Sequence, residues 1–285
     1  MNNKINRALF RRYYKYIHSI YNKQSEYKSE ISLDIAIPTI KKDLNVLPYC
    51  IDNLRKNLLH PISNIYIIAP YETEILDCCK KKQVVFIDEK KLEPLSKACL
   101  DITIRGVDHS GWIYQQLLKL NLDNLNSETR NILVIDSDTL LTREQCFLNK
   151  DHYIFNISDE FHFPYSKPLQ DLLNIKNRFP ASFVAHMMIF NVDILKELKN
   201  KIESITHKKW YNAIVDSIDL NSIAPFSEYE LYGNYMNQHY PNKMKIEYWF
   251  NETGYRDELE TKYFKVKLKS KSKSFHSYLK NDKNM

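Results

Sequence analysis

Apolar residues fall into two kinds of pattern along the first half of the chain. Short continuous runs at 33–38, 65–70, 84–88 and 131–136 read as strands buried on both faces. Between them, apolar positions recur at helical spacing. Leu44, Leu47, Ile51, Leu54 and Leu58 predict a helix over 43–58, with further helices over 72–81 and 111–120. Strand and helix alternating in this way predict a βαβαβ unit, hence a parallel sheet with right-handed crossovers. Ligands of such sheets sit beyond the carboxyl ends of the strands. Pro38, Thr39, Ala69, Pro70, Asp88 and Asp136 therefore share one rim.

Beyond residue 140 the pattern is less regular. It predicts strands over 152–157 and 183–190, and helices over 191–204, 207–219 and 227–238, with 245–250 and 262–268 extended. This reads as an α+β half built onto the edge of the first unit. At the front, residues 4–22 form an amphipathic pattern. Ile5, Leu9, Phe10, Tyr13, Tyr14 and Ile17 lie roughly on one side, and Arg7, Arg11, Arg12 and Lys15 crowd the rest. That suits a helix lying at an interface, or equally a packing arm.

Composition narrows the picture. The 285 residues are 44% hydrophobic and 27% charged, ordinary globular usage that excludes disorder as the main state. Only 4 glycines occur, and neither GxxxxGK nor GxGxxG is present, so a P-loop is excluded. The 5 cysteines include no CxxC, which speaks against a disulfide framework or a thiolate zinc site. A reducing, cytoplasmic setting is the expectation. No apolar run reaches membrane-spanning length, and the N-terminal segment is too charged for a signal peptide. The net charge of +6 hides an asymmetry: residues 1–24 carry +6 and 261–285 carry +7, leaving −7 across 25–260. Basic ends point to an anionic partner such as a membrane surface, or simply to solvated termini.

The strongest candidate chemistry is Asp136-Ser137-Asp138, directly after the most apolar strand. Two carboxylates at a strand end suit a hard divalent cation, Mn²⁺ or Mg²⁺, that keeps open positions for diphosphate oxygens. The same stretch partly resembles the D-x-D-x-T phosphatase signature of haloacid dehalogenases, which would make Asp136 a nucleophile. Leu140, however, stands in the threonine place, and the strand is the fourth rather than the first. A second cluster is Asp108, His109 and the helix that follows. There Trp112, Gln115, Gln116 and Lys119 share one face opposite Ile113, Leu117 and Leu120, as a sugar or nucleotide site would use them. A third is Phe226 to Tyr235. Ser227 and Glu230 form a capping box, S-x-x-E, which leaves Glu228 in the first helical turn as a candidate general base. His186, within an apolar stretch, reads either as a core histidine or as a site residue. His276, in a lysine-rich tail, is a candidate third metal ligand that would bring lysines toward the diphosphate.

Together these segments resemble a GT-A glycosyltransferase. The D-x-D, the segment 182–186, Glu228 and His276 follow in that family's order. More narrowly, the chain is similar to an uncharacterised bacterial family of surface-polysaccharide gene clusters. Its segments match Ile37-Pro38-Thr39, residues 111–120, 134–139 and 226–235. The resemblance implies an α/β GT-A fold: a Rossmann-like, mostly parallel sheet with a C-terminal α+β acceptor half. It divides the chain into a basic segment, 1–24, and one catalytic domain, 25–285. Within that domain 25–140 would bind the nucleotide, and 141–285 the acceptor. It implies transfer of a sugar from a nucleotide-sugar donor to a glycan or lipid-linked acceptor. Asp136, Asp138 and His276 would hold the metal. Pro38, Thr39, Asp108, Trp112, Gln115, Gln116, Lys119, Asp136 and His186 would line the donor site, and Glu228 would deprotonate the acceptor. Nucleic acid is not an expected partner. The rivals are the phosphatase and a non-enzymatic module docking on anionic surfaces.

Overall fold

The computed structural model describes residues 4–20, 28–176, 178–259 and 269–279. The predicted strand at 262–268 lies outside these residues. The first half follows the expected order: β1 (Leu33–Pro38), α2 (Leu47–Asn57), β2 (Ile62–Ala69), α3 (Thr73–Lys82) and β3 (Val85–Asp88). The helix α1 (Lys4–Ile20) precedes them. Helix α2 starts four residues later than its apolar spacing predicts. The chain first makes a 3-10 turn over Lys41–Asp43, and Pro48 then sits in the opening turn of the helix, where its missing N–H costs nothing. A two-strand hairpin, β4 (Thr103–Ile104) and β5 (Val107–Asp108), leads into α4 (Ser110–Leu120) and then β6 (Asn131–Ile135).

Strands β6, β1, β2 and β3 lie side by side and parallel, and every residue of β1 is buried. Alternate residues serve opposite faces. Ile35 and Ile37 join α2 in one core, whereas Ala36 joins α4 and the helices of the second half in the other. The fold is α/β with a mostly parallel central sheet. One edge is closed by β10 (Met187–Asn191), which runs antiparallel to β6. It is supplied by the second half, so the larger core runs unbroken across residue 140.

Between β6 and β10 come β7 (Thr139–Leu141), β8 (Leu148–Asn149), β9 (His152–Ile157) and α5 (Ser166–Leu173). After β10 follow α6 (Val192–Thr206), α7 (Trp210–Ser217), α8 (Glu228–His239), β11 (Met244–Tyr248), β12 (Asn251–Thr253) and β13 (Ser272–Ser274). Strand β11 pairs with β9 in parallel. Strand β13 bridges β12 and β7, which returns the C-terminal segment to the residues just after the D-x-D. Helix α1 docks on the body through Phe10 and Tyr14. The His18 Nδ1 accepts the Tyr248 amide at 2.6 Å, and the Arg11 guanidinium reaches the Asp159 carbonyl at 3.0 Å. Ile5, Leu9, Tyr13 and Tyr16 remain exposed along its outer side.

One sequence expectation changes here. The apolar stretch 183–190 enters the sheet only at Met187. His186 instead takes a left-handed conformation, φ 53°, costly for a residue with a Cβ. That turn aims its carbonyl at the Asp136 amide, 2.9 Å away, and so ties the two strand ends together. Phe183 meanwhile packs against α8 so closely that a Cβ on Gly233 would lie 2.4 Å from its ring.

Candidate functional site

The carboxyl ends of the parallel strands open into a cleft of about 480 Å³. Its floor follows the sheet: Asp136 after β6, Pro38 and Thr39 at β1, Ile68 at β2 and Glu89 after β3. Gly111, Trp112, Tyr114, Gln115 and Leu118 of α4 form one wall, and His186, His276 and Tyr278 close the end near the D-x-D. Of the residues singled out in the sequence, Pro38, Thr39, Trp112, Gln115, Asp136, Asp138, His186 and His276 therefore come together.

The two carboxylates of the D-x-D turn different ways. Asp138 Oδ2 lies 3.0 Å from His276 Nδ1. The tail is fixed there by the Phe275 amide, which donates to the Asp138 carbonyl at 2.8 Å, and by the Thr139 and Ser274 hydroxyls 2.9 Å apart. Asp138, His186 and His276 each offer a ligand atom, all within 4.8 Å of one another. The His186 ring is stacked on Trp249, and its Nδ1 is buried without a well-aligned hydrogen bond, 3.3 Å from Asp136 Oδ2. Two imidazoles and a carboxylate this close together fit a divalent cation of borderline hardness, with the His186 Nδ1 turned to Asp136 Oδ2.

Asp136 points inward instead. Its Oδ1 accepts from Lys119 Nζ at 2.7 Å and from the Tyr229 hydroxyl at 3.3 Å. Burial opposes its ionisation, but the Lys119 ammonium and the His186 ring override that and hold the carboxyl well below the usual range. Lys119 is 4% exposed. Burial works against its charge, yet Asp136 and Glu228 together keep its ammonium protonated far above the ordinary lysine range. Asp136 thus lies in an ion pair with Lys119, and it is the His186 imidazole, not the Asp136 carboxylate, that groups with Asp138 and His276.

Other expectations are corrected in the same way. Gln116 and Lys119 do not line the cleft. They lie under α8, where the Gln116 Oε1 accepts the Glu228 amide at 3.1 Å. Glu228 does not face the cleft either: it is 3% exposed, and its Oε1 accepts from Lys119 at 2.7 Å. Asp108 is exposed just ahead of α4, its Oδ1 accepting the Ser110 amide at 2.8 Å. Only half of the capping box forms. Ser227 Oγ accepts the Glu230 amide at 3.3 Å, but the Glu230 carboxylate turns away to the Ser182 hydroxyl at 2.6 Å, the Phe183 amide at 3.1 Å and Arg178 Nε at 3.0 Å. It anchors the loop that carries His186. The tail lysines also turn from the cleft. Lys271 is buried against Glu247 and Asn156, and Lys273 against Glu258.

Several cleft residues had no motif to mark them. Asp43 accepts the Ser137 hydroxyl at 3.2 Å and pairs with Arg256, whose Nε donates to the Phe275 carbonyl at 2.9 Å. This chain of contacts locks the tail to the loop after β1. Lys41-Lys42-Asp43 carries no pattern that distinguishes a clamp from a surface loop. Lys42 and Lys97 supply the positive charge at the mouth of the cleft.

Solved structures similar to the chain include the galactosyltransferase LgtC in complex with donor and acceptor sugar analogs, at 11% identity over 86% of this chain and 88% of that one, TM-score 0.46. Mouse xyloside xylosyltransferase 1 is similar at 12% identity over 87% and 98%, TM-score 0.47. The bifunctional glycosyltransferase WbbM matches at 13% identity over 91% of this chain and 48% of that one, TM-score 0.43. No curated protein sequence matches. The profile of a family of unknown function matches residues 56–272, and the chain belongs to that family, DUF6492.

Proposed function

We propose that the protein is a metal-dependent glycosyltransferase of GT-A type that uses a nucleotide-sugar donor. One observation carries this reading: Asp138, His186 and His276 converge within 4.8 Å at the carboxyl end of the central sheet, inside the main cleft. Two imidazoles and one carboxylate favour Mn²⁺ over Mg²⁺, which prefers oxygen ligands throughout. When bound, such a cation neutralises the charge developing on a departing diphosphate. The chain's own residues do the rest. Asp136, fixed by Lys119, sets the orientation of the His186 ring. Trp112 and Gln115 face the donor from α4. Asp43, Ser137 and Arg256 hold the tail, and with it His276, against the D-x-D.

Glu228 serves in this reading as a positioning residue that keeps Lys119 under Asp136. Transfer with retention, which needs no acceptor base, then matches the site better than inversion. The phosphatase alternative gains nothing from the geometry, since Asp136 Oδ1 is bonded to Lys119 and its Oδ2 faces His186. The acceptor is a glycan or lipid-linked sugar of a bacterial surface polysaccharide, presented at an anionic membrane. Support for the membrane comes from α1, which shows Ile5, Leu9, Tyr13 and Tyr16 to solvent beside Arg12. Among the described residues no helix is long and apolar enough to cross a membrane.

The test is thermal unfolding with nucleoside diphosphates, with and without Mn²⁺. A ligand at 100-fold excess over its dissociation constant stabilises by about 2.7 kcal/mol. A shift that requires both partners supports the reading. No shift with any nucleoside diphosphate and Mn²⁺ would refute it.

A further inference from the structure

A basic groove of about 380 Å³ runs between helix α1 and the loop after β9, lined by Ala8, Arg11, Arg12, Lys15 and Asp159. Three cations against one carboxylate leave a net charge of +2. The carboxylate is already engaged: Asp159 Oδ2 accepts from the Tyr248 hydroxyl at 2.6 Å and from Lys15 Nζ at 3.2 Å. The guanidinium groups are not saturated. Arg11 gives one nitrogen to the Asp159 carbonyl at 3.0 Å, while its Nε is buried with no hydrogen bond among the described residues. Arg12 is exposed. A buried N–H without an acceptor is costly unless a ligand supplies one. The groove also has an apolar border. Ile5, Leu9, Tyr13 and Tyr16 are each more than half exposed. At 3.6 residues per turn they share an arc of about 80° on the outer side of α1, whereas Phe10 and Tyr14 face the body. Arg12, Lys15 and Arg11 continue past one edge of that stripe, about 20°, 80° and 120° beyond Ile5. The groove therefore lies where the apolar stripe meets the body.

We propose that this groove binds the phosphate of an anionic membrane lipid and so fixes how the protein sits on the bilayer. The inference rests on the reading of a membrane-presented acceptor and names the group that the protein grips there. With the stripe among the acyl chains, the flanking cations lie at head-group level. Guanidinium groups match phosphate oxygens in a fixed fork, and here Arg11 Nε and Arg12 have donors to give, with Lys15 adding charge. A free phosphate would satisfy the same donors but would leave the apolar stripe in water. A lipid takes both at once. The other wall of the groove leads to the candidate site. The loop that carries Asp159 begins at Ser158, whose amide donates to the Ser182 carbonyl at 2.8 Å, on the segment that runs into His186. A head group held there sets the bilayer against the half of the protein assigned to the acceptor.

The experiment is co-sedimentation of the full chain with vesicles of phosphatidylcholine, alone or mixed with phosphatidylglycerol. The mixed vesicles should bind about tenfold more tightly or better, since each cation at an anionic surface adds several-fold. Arg12→Gln should weaken that binding by about fivefold. Arg12→Lys keeps the charge but loses the fork, and should still weaken it by about threefold or more. Arg12 is exposed, so both variants should unfold at the wild-type midpoint. Lys80→Gln with Lys81→Gln, two exposed lysines of α3, should leave binding unchanged. Arg12→Lys binding like wild type, or equal weakening in the α3 variant, would reveal diffuse attraction and overturn the groove alone. Calorimetry with free glycerol phosphate separates the sources: affinity equal to that for the vesicles would assign the groove to a soluble ligand and overturn the lipid. Absence of binding to either vesicle would remove the groove and the membrane part of the functional reading together. Mn²⁺-dependent binding of nucleoside diphosphates uses none of these residues and would stand.

Discussion

Asp136 and Asp138 are two residues apart and belong to two different regions. Asp136 sits over a buried floor made of Lys119, Glu228 and Tyr229, where every charge has a partner at close range. Asp138 sits at a rim made of His276, His186 and Tyr278, where one carboxylate and two imidazoles gather within 4.8 Å of one another. The floor is an ion-pair network under a helix start. The rim is a group of side chains that could hold a cation. A strand end can therefore send the two carboxylates of one motif to different surroundings, because alternate positions no longer share a face once the strand has ended.

The largest expected effect lies in the floor. Lys119→Met would leave Glu228 buried without its cation and take the ammonium from Asp136, and should cost about 3–5 kcal/mol in urea unfolding. A loss below about 1 kcal/mol would mean that the network carries little. Next is the neighbouring anchor. Glu230→Gln removes the charge that meets Arg178, which is 5% exposed, and should cost about 2–3 kcal/mol. The folded fraction should retain Mn²⁺ binding, a difference that isothermal titration would read. Glu228→Gln sharpens the contrast further. As a positioning group it should lose about 1–2 kcal/mol of stability, its amide oxygen still accepting from Lys119, and should keep metal binding. A stability equal to wild type with turnover down about 100-fold would restore it as a base.

The smallest effects belong to the rim. Tyr278 is 75% exposed and stacks on His276 with ring centroids 5.1 Å apart. Tyr278→Ala should change stability by less than about 0.5 kcal/mol. It should weaken Mn²⁺ affinity by a factor of about 2–10, the worth of one aromatic contact. A large destabilisation would place the tail in the floor's category.

The legible part of this protein was the part governed by periodicity. The strands at 33–38 and 131–135, the helix over 110–120 and the strand over 152–157 follow from runs and spacing alone. Where a polar side chain chooses among distant partners, local pattern fails. Ser227 and Glu230 have capping-box spacing, but Arg178, some fifty positions earlier, outcompetes the local amide for the carboxylate. The lysines of the tail look solvated in sequence, and two of them are buried in ion pairs. Burial, aided by the neighbouring Arg143 charge, pulls the Lys271 ammonium below the ordinary lysine range, although Glu247 opposes it. His186 was ambiguous for a related reason. Its left-handed turn is imposed by Asp136 and the loop under Glu230, not by its neighbours in the chain. Asp138 and His276 stand out in sequence as an acidic pair after an apolar strand and a histidine in a basic tail, and the fold brings them 3.0 Å apart.

The central claim is that the rim, and not the floor, holds the cation. Electron paramagnetic resonance of Mn²⁺ titrated into the full chain measures this without any donor or acceptor. Wild type should bind one ion. Asp138→Asn should weaken that binding by about 100-fold or more, and Asp136→Asn, where it folds, should weaken it by about tenfold, as a group that only orients a ligand does. Asp138→Asn binding Mn²⁺ as tightly as wild type would contradict the account.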